Sequence, residues 1–218
     1  NPSGTPTNNI QNPVVKVEAY TSTNLGSVAA ESSILTYKML GQSGQEVQAT
    51  SLVFTPNTPP PVGGWPIVVW AHGTTGVADV CAPSKAALAD STKDLISKLL
   101  AAGYVVVAPD YEGLGTPGIH PFLNVKSEAF SITDAVVAAR NYLSQRNLLT
   151  SKKWVTVGHS QGGHAALGAA QYASRAQLDY KGTVAVAPAS NLGSILVDGE
   201  AQVANAPIDI KIGTYAQL

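Results

Sequence analysis

Charge is scarce in this chain. Only 12% of its 218 residues are Asp, Glu, Lys or Arg, the net charge is −1, and no Lys/Arg run occurs. That excludes an electrostatic surface for nucleic acid or for an anionic membrane. Long apolar runs are missing too, and no stretch approaches the roughly 18 to 20 residues that span a bilayer as a helix. Cysteine is almost absent. The single Cys81 is either a buried small hydrophobe or one half of a bridge whose partner lies elsewhere. There is no internal repeat. What the chain does have is 44% hydrophobic residues, enough for a sizeable core in about one domain.

Residues 1–13 form an arm of Pro, Thr, Asn and Ser without periodicity that begins at Asn1, as expected just downstream of a removed signal sequence. Few lysines and many Thr, Ser, Asn and Gln fit an extracellular protein. Beyond the arm the chain alternates. Residues 14–20, 33–40 and 46–55 read as strands, the second and third joined by the turn Gly41-Gln42-Ser43-Gly44. A loop with four prolines and two glycines, residues 55–64, leads into Trp65–Ala71 (WPIVVWA), a continuous apolar run typical of a strand buried on both faces. Residues 84–102 predict a helix with Leu88, Leu95, Leu99 and Leu100 on one stripe and Gly103 as its stop. A strand at 104–109, a helix at 125–145, a strand at 153–158, a helix to about 178 and a strand at 182–188 follow. Strands alternating with helices of this length build βαβ units, hence an α/β fold with a mostly parallel sheet and helices on both faces.

The chain is organised around residues 152–167, KKWVTVGHSQGGHAAL. An apolar, β-branched strand runs into Gly158-His159-Ser160-Gln161-Gly162, and a small-residue helix follows. In so tight a strand-to-helix turn the serine adopts a strained conformation, and glycines two before and two after let neighbouring backbone pass. Ser160 is thereby lifted above the sheet, with the helix N-terminus where an oxyanion develops during acyl transfer. Ser160 is the candidate nucleophile; a serine that merely caps a helix is the plainer alternative.

His72-Gly73-Thr74-Thr75-Gly76 follows the Trp65 strand at its carboxyl end, where open α/β sheets place ligands. A turn there can aim a backbone N–H at a carbonyl oxygen. Thr74 is the preferred donor, with Thr75 and Gly76 as alternatives, and the N–H of Gln161 is the second. His72 and His159 are expected to orient loops, His164 to pack or join a polar network, and His120 to sit in a loop within reach of a substrate. Asp110 and Glu112 are expected to cap loops and accept hydrogen bonds.

The combination of AHGTTG, the Asp79-Val80-Cys81-Ala82-Pro83-Ser84 segment, GYVVVAPDYEGLG and GHSQGGHAAL resembles the secretory lipase family of α/β-hydrolases, which includes cap-bearing lipases of the lipase A type. The likeness spans roughly residues 14–188, and the CAPS tetrapeptide is its more specific part. It implies hydrolysis of acylglycerols or other carboxylic esters, no cofactor or metal, secretion, and a helical cap over the acyl pocket. It also implies a disulfide from Cys81.

One departure is large. In α/β-hydrolases the acid and the histidine follow the nucleophile on loops after later strands. Here no histidine follows His164, and the 30 residues after Pro188 are fewer than the about 60 that two more βα units need. Residues 14–188 therefore read as the N-terminal portion of a hydrolase core and residues 189–218 as the start of a cap, with Asp198 and Asp209 weak acid candidates. The expected protein is a serine ester hydrolase completed by a C-terminal segment or second chain, which also offers the cysteine to Cys81. The alternative is a non-catalytic binding module that retains the elbow as scaffold.

Overall fold

The computed structural model describes residues 4–189. Three strands, β1 (Val14–Ala19), β2 (Ala29–Leu40) and β3 (Glu46–Pro56), form an antiparallel meander. Four more, β4 (Trp65–Ala71), β5 (Val105–Pro109), β6 (Thr150–His159) and β7 (Asp179–Val186), run parallel to one another. Together they make one sheet in the order β1-β2-β3-β5-β4-β6-β7, with β3 antiparallel to β5. Helices α1 (Asp90–Ala101), α2 (Val125–Gln145) and α3 (Gln161–Tyr172) connect the parallel strands in turn.

Every residue of β5 and most of β4 is buried because both faces of these strands are covered. On one face, Ile96 and Leu100 of α1 pack on Leu52, Phe54 and Val106. On the other, α2 and α3 bring Phe130, Ile132, Val136, Ala165 and Ala169 against Ile67, Val69 and Trp154. The two layers differ in chemistry. Helix α3 offers mostly Ala and Gly to the sheet and to α2, so backbone approaches closely; α1 is more polar and buries only Ile96 and Leu100. Helix α2 starts at Asn124, whose side chain accepts from the Ser127 N–H at 3.0 Å, the usual capping arrangement.

Some boundaries depart from the sequence expectation. The helix predicted from residue 84 begins at Asp90, because residues 79–81 and 83–85 form separate 3₁₀ turns and Ala86 and Ala89 are extended. Leu88, assigned to the helical stripe, precedes the helix yet still packs with the α1 layer. Helix α3 stops at Tyr172 and continues as a 3₁₀ turn to Ala176, which Gln177 ends in the left-handed region. Strands β6 and β7 each begin three residues earlier than expected.

The N-terminal arm is tied to this body. Asn8 donates from its side chain to Asp134 at 2.8 Å and from its backbone to the carbonyl of Arg175 at 3.0 Å. Asp134 and Arg175 form a fully buried two-pronged ion pair, and Asp134 also takes the Leu40 N–H at 2.9 Å. Burial raises the Asp134 pKa, with Arg175 opposing it. Arm, meander, α2 and the turn after α3 are thus joined at one carboxylate.

Strand β7 pairs only with β6 among the described residues. Thr183 faces α3, where its hydroxyl meets the Ala166 carbonyl, so Val184 and Val186 point to the opposite face and are half exposed. That face is the one α1 covers over β3 and β5 but leaves bare over β7.

Candidate active site

Three loops leave the carboxyl ends of adjacent parallel strands and meet. After β4 comes the His72–Gly76 turn, after β5 the loop of Asp110 to Gly115, and after β6 the Ser160 turn. Ser160 has φ 57° and ψ −119°, a conformation that costs a non-glycine residue of order 1–3 kcal/mol. Two features hold it there. A Cβ at Gly158 would overlap the Gly162 carbonyl, and one at Gly162 the Ala71 carbonyl, so the chain closes this turn only with glycine at both positions. The Ser160 backbone is also fully bonded, its N–H to Val186 O at 3.0 Å and its carbonyl to the N–H groups of His164 and Ala189, both at 3.1 Å. The side chain makes no helix-capping hydrogen bond. A strained serine at a helix N-terminus with its hydroxyl left over is arranged for something other than capping.

Gly73 passes against Ser160, since a Cβ built on it would lie 3.7 Å from the Ser160 Cβ. Thr74, the next residue, is exposed, whereas Gln161 is buried. Thr74 and Thr75 line a cavity of about 840 Å³ that extends over Trp70, Val157 and Val186 towards the start of α1. This cavity lies on the face of the sheet that α1 covers and reaches β7 only at Val186.

The His72 ring is buried, with Nδ1 2.6 Å from the Gly73 carbonyl and Nε2 3.1 Å from that of Asp110, and stacks on Tyr111 at 4.3 Å. Burial lowers its pKa although both carbonyls favour the charged ring. Tyr111 is held at φ 80° and donates to the His72 carbonyl at 2.7 Å, which fixes the root of the Gly73 turn. His120, expected within reach of a substrate, is instead 5% exposed and bonded to the Glu112 carbonyl and the Gln161 side chain. His164 donates Nδ1–H to Glu128 at 2.6 Å, and this bond raises its pKa. No histidine ring hydrogen-bonds to Ser160 among the described residues.

The CAPS segment now has a physical account. Ser84 gives its backbone N–H to Asp110 at 3.0 Å and its hydroxyl to the same carboxylate, which also accepts from Thr50 at 2.6 Å. Burial pushes the Asp110 pKa up to about 6 against these three bonds. Cys81 lies against Gly76, where an added Cβ would be 2.5 Å from its sulfur, so the segment braces the end of the His72–Gly76 turn. The Cys81 thiol is free and partly exposed. Glu112 likewise behaves as expected, accepting from the Gln42 N–H at 3.0 Å and from the Ser127 hydroxyl. Asp198 and Asp209 lie outside the described residues.

Strand order, loops meeting at the carboxyl ends of the parallel strands and a strained serine between β6 and α3 define an α/β-hydrolase. The chain belongs to the secretory lipase family, whose sequence model matches residues 81–205. Candida antarctica lipase A in its closed state superposes with a TM-score of 0.66 and 25% identity, covering 78% of this chain and 41% of its own. The rice cell wall degrading esterase LipA of Xanthomonas oryzae, in a ligand-bound form, gives 0.67 and 24%, covering 88% and 59%. This chain thus spans between 41% and 59% of those two proteins. No curated protein matches.

Proposed function

We propose that this chain carries the nucleophile and oxyanion side of a secreted serine ester hydrolase acting on acylglycerols or other carboxylic esters. The observation that carries the reading is Ser160 itself, strained and uncapped at the head of α3. In the proposed reaction the Ser160 Oγ attacks the ester carbonyl carbon and its proton passes to a histidine base. The carbonyl oxygen, now negative, is held by the N–H groups of Thr74 and Gln161, the alcohol leaves with the proton, and water then releases the acid from the acyl-serine.

None of the four histidines in the sequence suits the base role. His72 and His120 spend both ring nitrogens on carbonyl and amide partners, the His164 ring is turned through Nδ1 to Glu128 on α2, and His159 sits inside the elbow next to Ser160, whereas the base of an α/β-hydrolase follows on a later loop. The base and its acid are accordingly assigned to a C-terminal segment or second chain that covers Val184 and Val186, with a disulfide to Cys81 as its covalent tie. Among the described residues no helix is long and apolar enough to cross a membrane. The test is covalent: a fluorophosphonate incubated with the full natural chain should label Ser160, and Ser160→Ala should abolish both labelling and ester hydrolysis. Labelling at another residue, or full activity in Ser160→Ala, would overturn the assignment.

A further inference from the structure

Gln161 is 1% exposed, and its side chain points into the protein, away from any substrate. Its amide nitrogen lies 3.2 Å from His120 Nε2 and 3.3 Å from Glu128 Oε1. His120 Nδ1 is 2.7 Å from the Glu112 carbonyl, and the second oxygen of Glu128 accepts from His164 Nδ1. Donor and acceptor roles follow without choice. A carbonyl only accepts, so His120 donates from Nδ1; the Gln161 NH₂ only donates, so His120 Nε2 accepts. One hydrogen of the amide serves His120 and the other serves the Glu128 carboxylate. Both hydrogens of the Gln161 amide are consumed, and a flipped amide would set its oxygen against a carboxylate. Glu128 is 1% exposed and His120 is fixed between Tyr111 and Phe122, so the chain of bonds is anchored at both ends in buried structure.

This network ties the loop after β5 and the first turn of α2 to the residue that follows Ser160. We propose that His120 and Glu128 are positioning residues for acyl transfer: by clamping the Gln161 side chain they hold its backbone N–H in the oxyanion site. The proposal rests on the reading of Ser160 as nucleophile and of the Gln161 N–H as a donor. A backbone donor cannot be adjusted through its own side chain unless that side chain is held, and here it is held from two sides. Because the oxyanion exists only in the transition state, a loosened donor lowers kcat and leaves KM nearly alone.

The test uses the full natural chain and a p-nitrophenyl ester. Gln161→Met keeps the backbone N–H and the volume but releases the clamp, and kcat is expected to fall at least about tenfold with KM within about threefold, since misplacement of about 1 Å can cost about 10² in rate. Glu128→Gln and Gln161→Glu should each lower kcat similarly, the first by losing an acceptor oxygen and the second by setting its carboxylate against that of Glu128. Their combination closes the network again, with a carboxylate at 161, an amide at 128 and a proton on His120, and should regain most of the lost kcat. Wild-type kcat in Gln161→Met, or a double variant no better than the worse single one, would overturn the proposal. If a charge-exchange variant does not fold, Gln161→Met alone decides. Fluorophosphonate labelling separates the two readings: failure to label Ser160 in the unaltered protein removes the acyl-transfer reading, whereas normal labelling with an indifferent Gln161→Met removes only the clamp.

Discussion

Replacing Asp110 by alanine takes one acceptor from three donors at once, the Ser84 N–H, the Ser84 hydroxyl and the Thr50 hydroxyl. A buried donor left unpaired costs about 1–3 kcal/mol, and the two hydroxyls can turn while the N–H cannot, so a total of about 3–5 kcal/mol is expected. Asparagine should behave differently. Its oxygen can accept the Ser84 N–H and its NH₂ can donate to both hydroxyls, which keeps the brace without a charge. The pH dependence follows from the rise of the Asp110 pKa from 3.8 to about 6, which corresponds to about 3 kcal/mol between the protonation states. A carboxyl raised in the folded state contributes stability that is fully present below pH 3.8 and lost as the pH rises through about 6. Asp110→Asn should therefore match the parent near pH 4 and exceed it by up to about 3 kcal/mol near pH 7, a difference in Tm of roughly 6–12 °C at this size. Melts followed by circular dichroism between pH 4 and 7.5 test this. A constant gap between parent and Asp110→Asn across that range, or an Asp110→Ala protein within about 1 kcal/mol of the parent, would refute the account.

Thr74→Pro deletes the first proposed oxyanion donor, and kcat for a p-nitrophenyl ester is expected to drop by about 10² to 10³, while Thr74→Ala stays near the parent. A folded Thr74→Pro enzyme of ordinary turnover would remove Thr74 from the site. Arg175→Ala leaves Asp134 buried without its counter-charge and should cost about 3–5 kcal/mol; urea unfolding measures it, and limited proteolysis should cut the released N-terminal arm first. Residues 1–218 expressed alone are expected to be insoluble or inactive, and a stable monomer hydrolysing p-nitrophenyl esters at enzyme-like rates would contradict the assignment of the base to another segment.

Much of this architecture was legible because it is written in short-range patterns. Trp65–Ala71 and Val105–Pro109 are apolar through and through, and both lie in the middle of the sheet with both faces covered. The Ser160 turn was legible from five residues because its steric demands are local. What sequence spacing could not reveal was pairing across distance. Gln161 meets Glu128 and His120 across 33 and 41 positions, and Asn8 meets Asp134 across 126. Nothing in a single glutamate inside the helical run of α2 marks it as the acceptor behind the elbow. The same limit explains Leu88: its place on the apolar stripe reflected a real burial, but Pro83 and the extended Ala86 and Ala89 put it before the helix.

The residues around Ser160 divide into those that shape backbone and those available for proton transfer, and the division is uneven. Gly158 and Gly162 permit the turn, Tyr111 and His72 root the neighbouring turn, Ser84 and Asp110 brace its far side, and Glu128 with His120 takes up the side chain of Gln161. Each histidine in these sets spends its ring nitrogens on that work. A histidine bonded to a carbonyl through one nitrogen and to an amide through the other has no lone pair to offer a serine, and one whose Nδ1 is drawn to a carboxylate on α2 is oriented by that partner. The end of β7 runs beside Ser160, whose N–H bonds the Val186 carbonyl, and its face with Val184 and Val186 is half exposed. Under the proposed function, a base arriving over that face meets none of the bonds that root the His72–Gly76 turn, which run through Tyr111, Asp110 and Ser84.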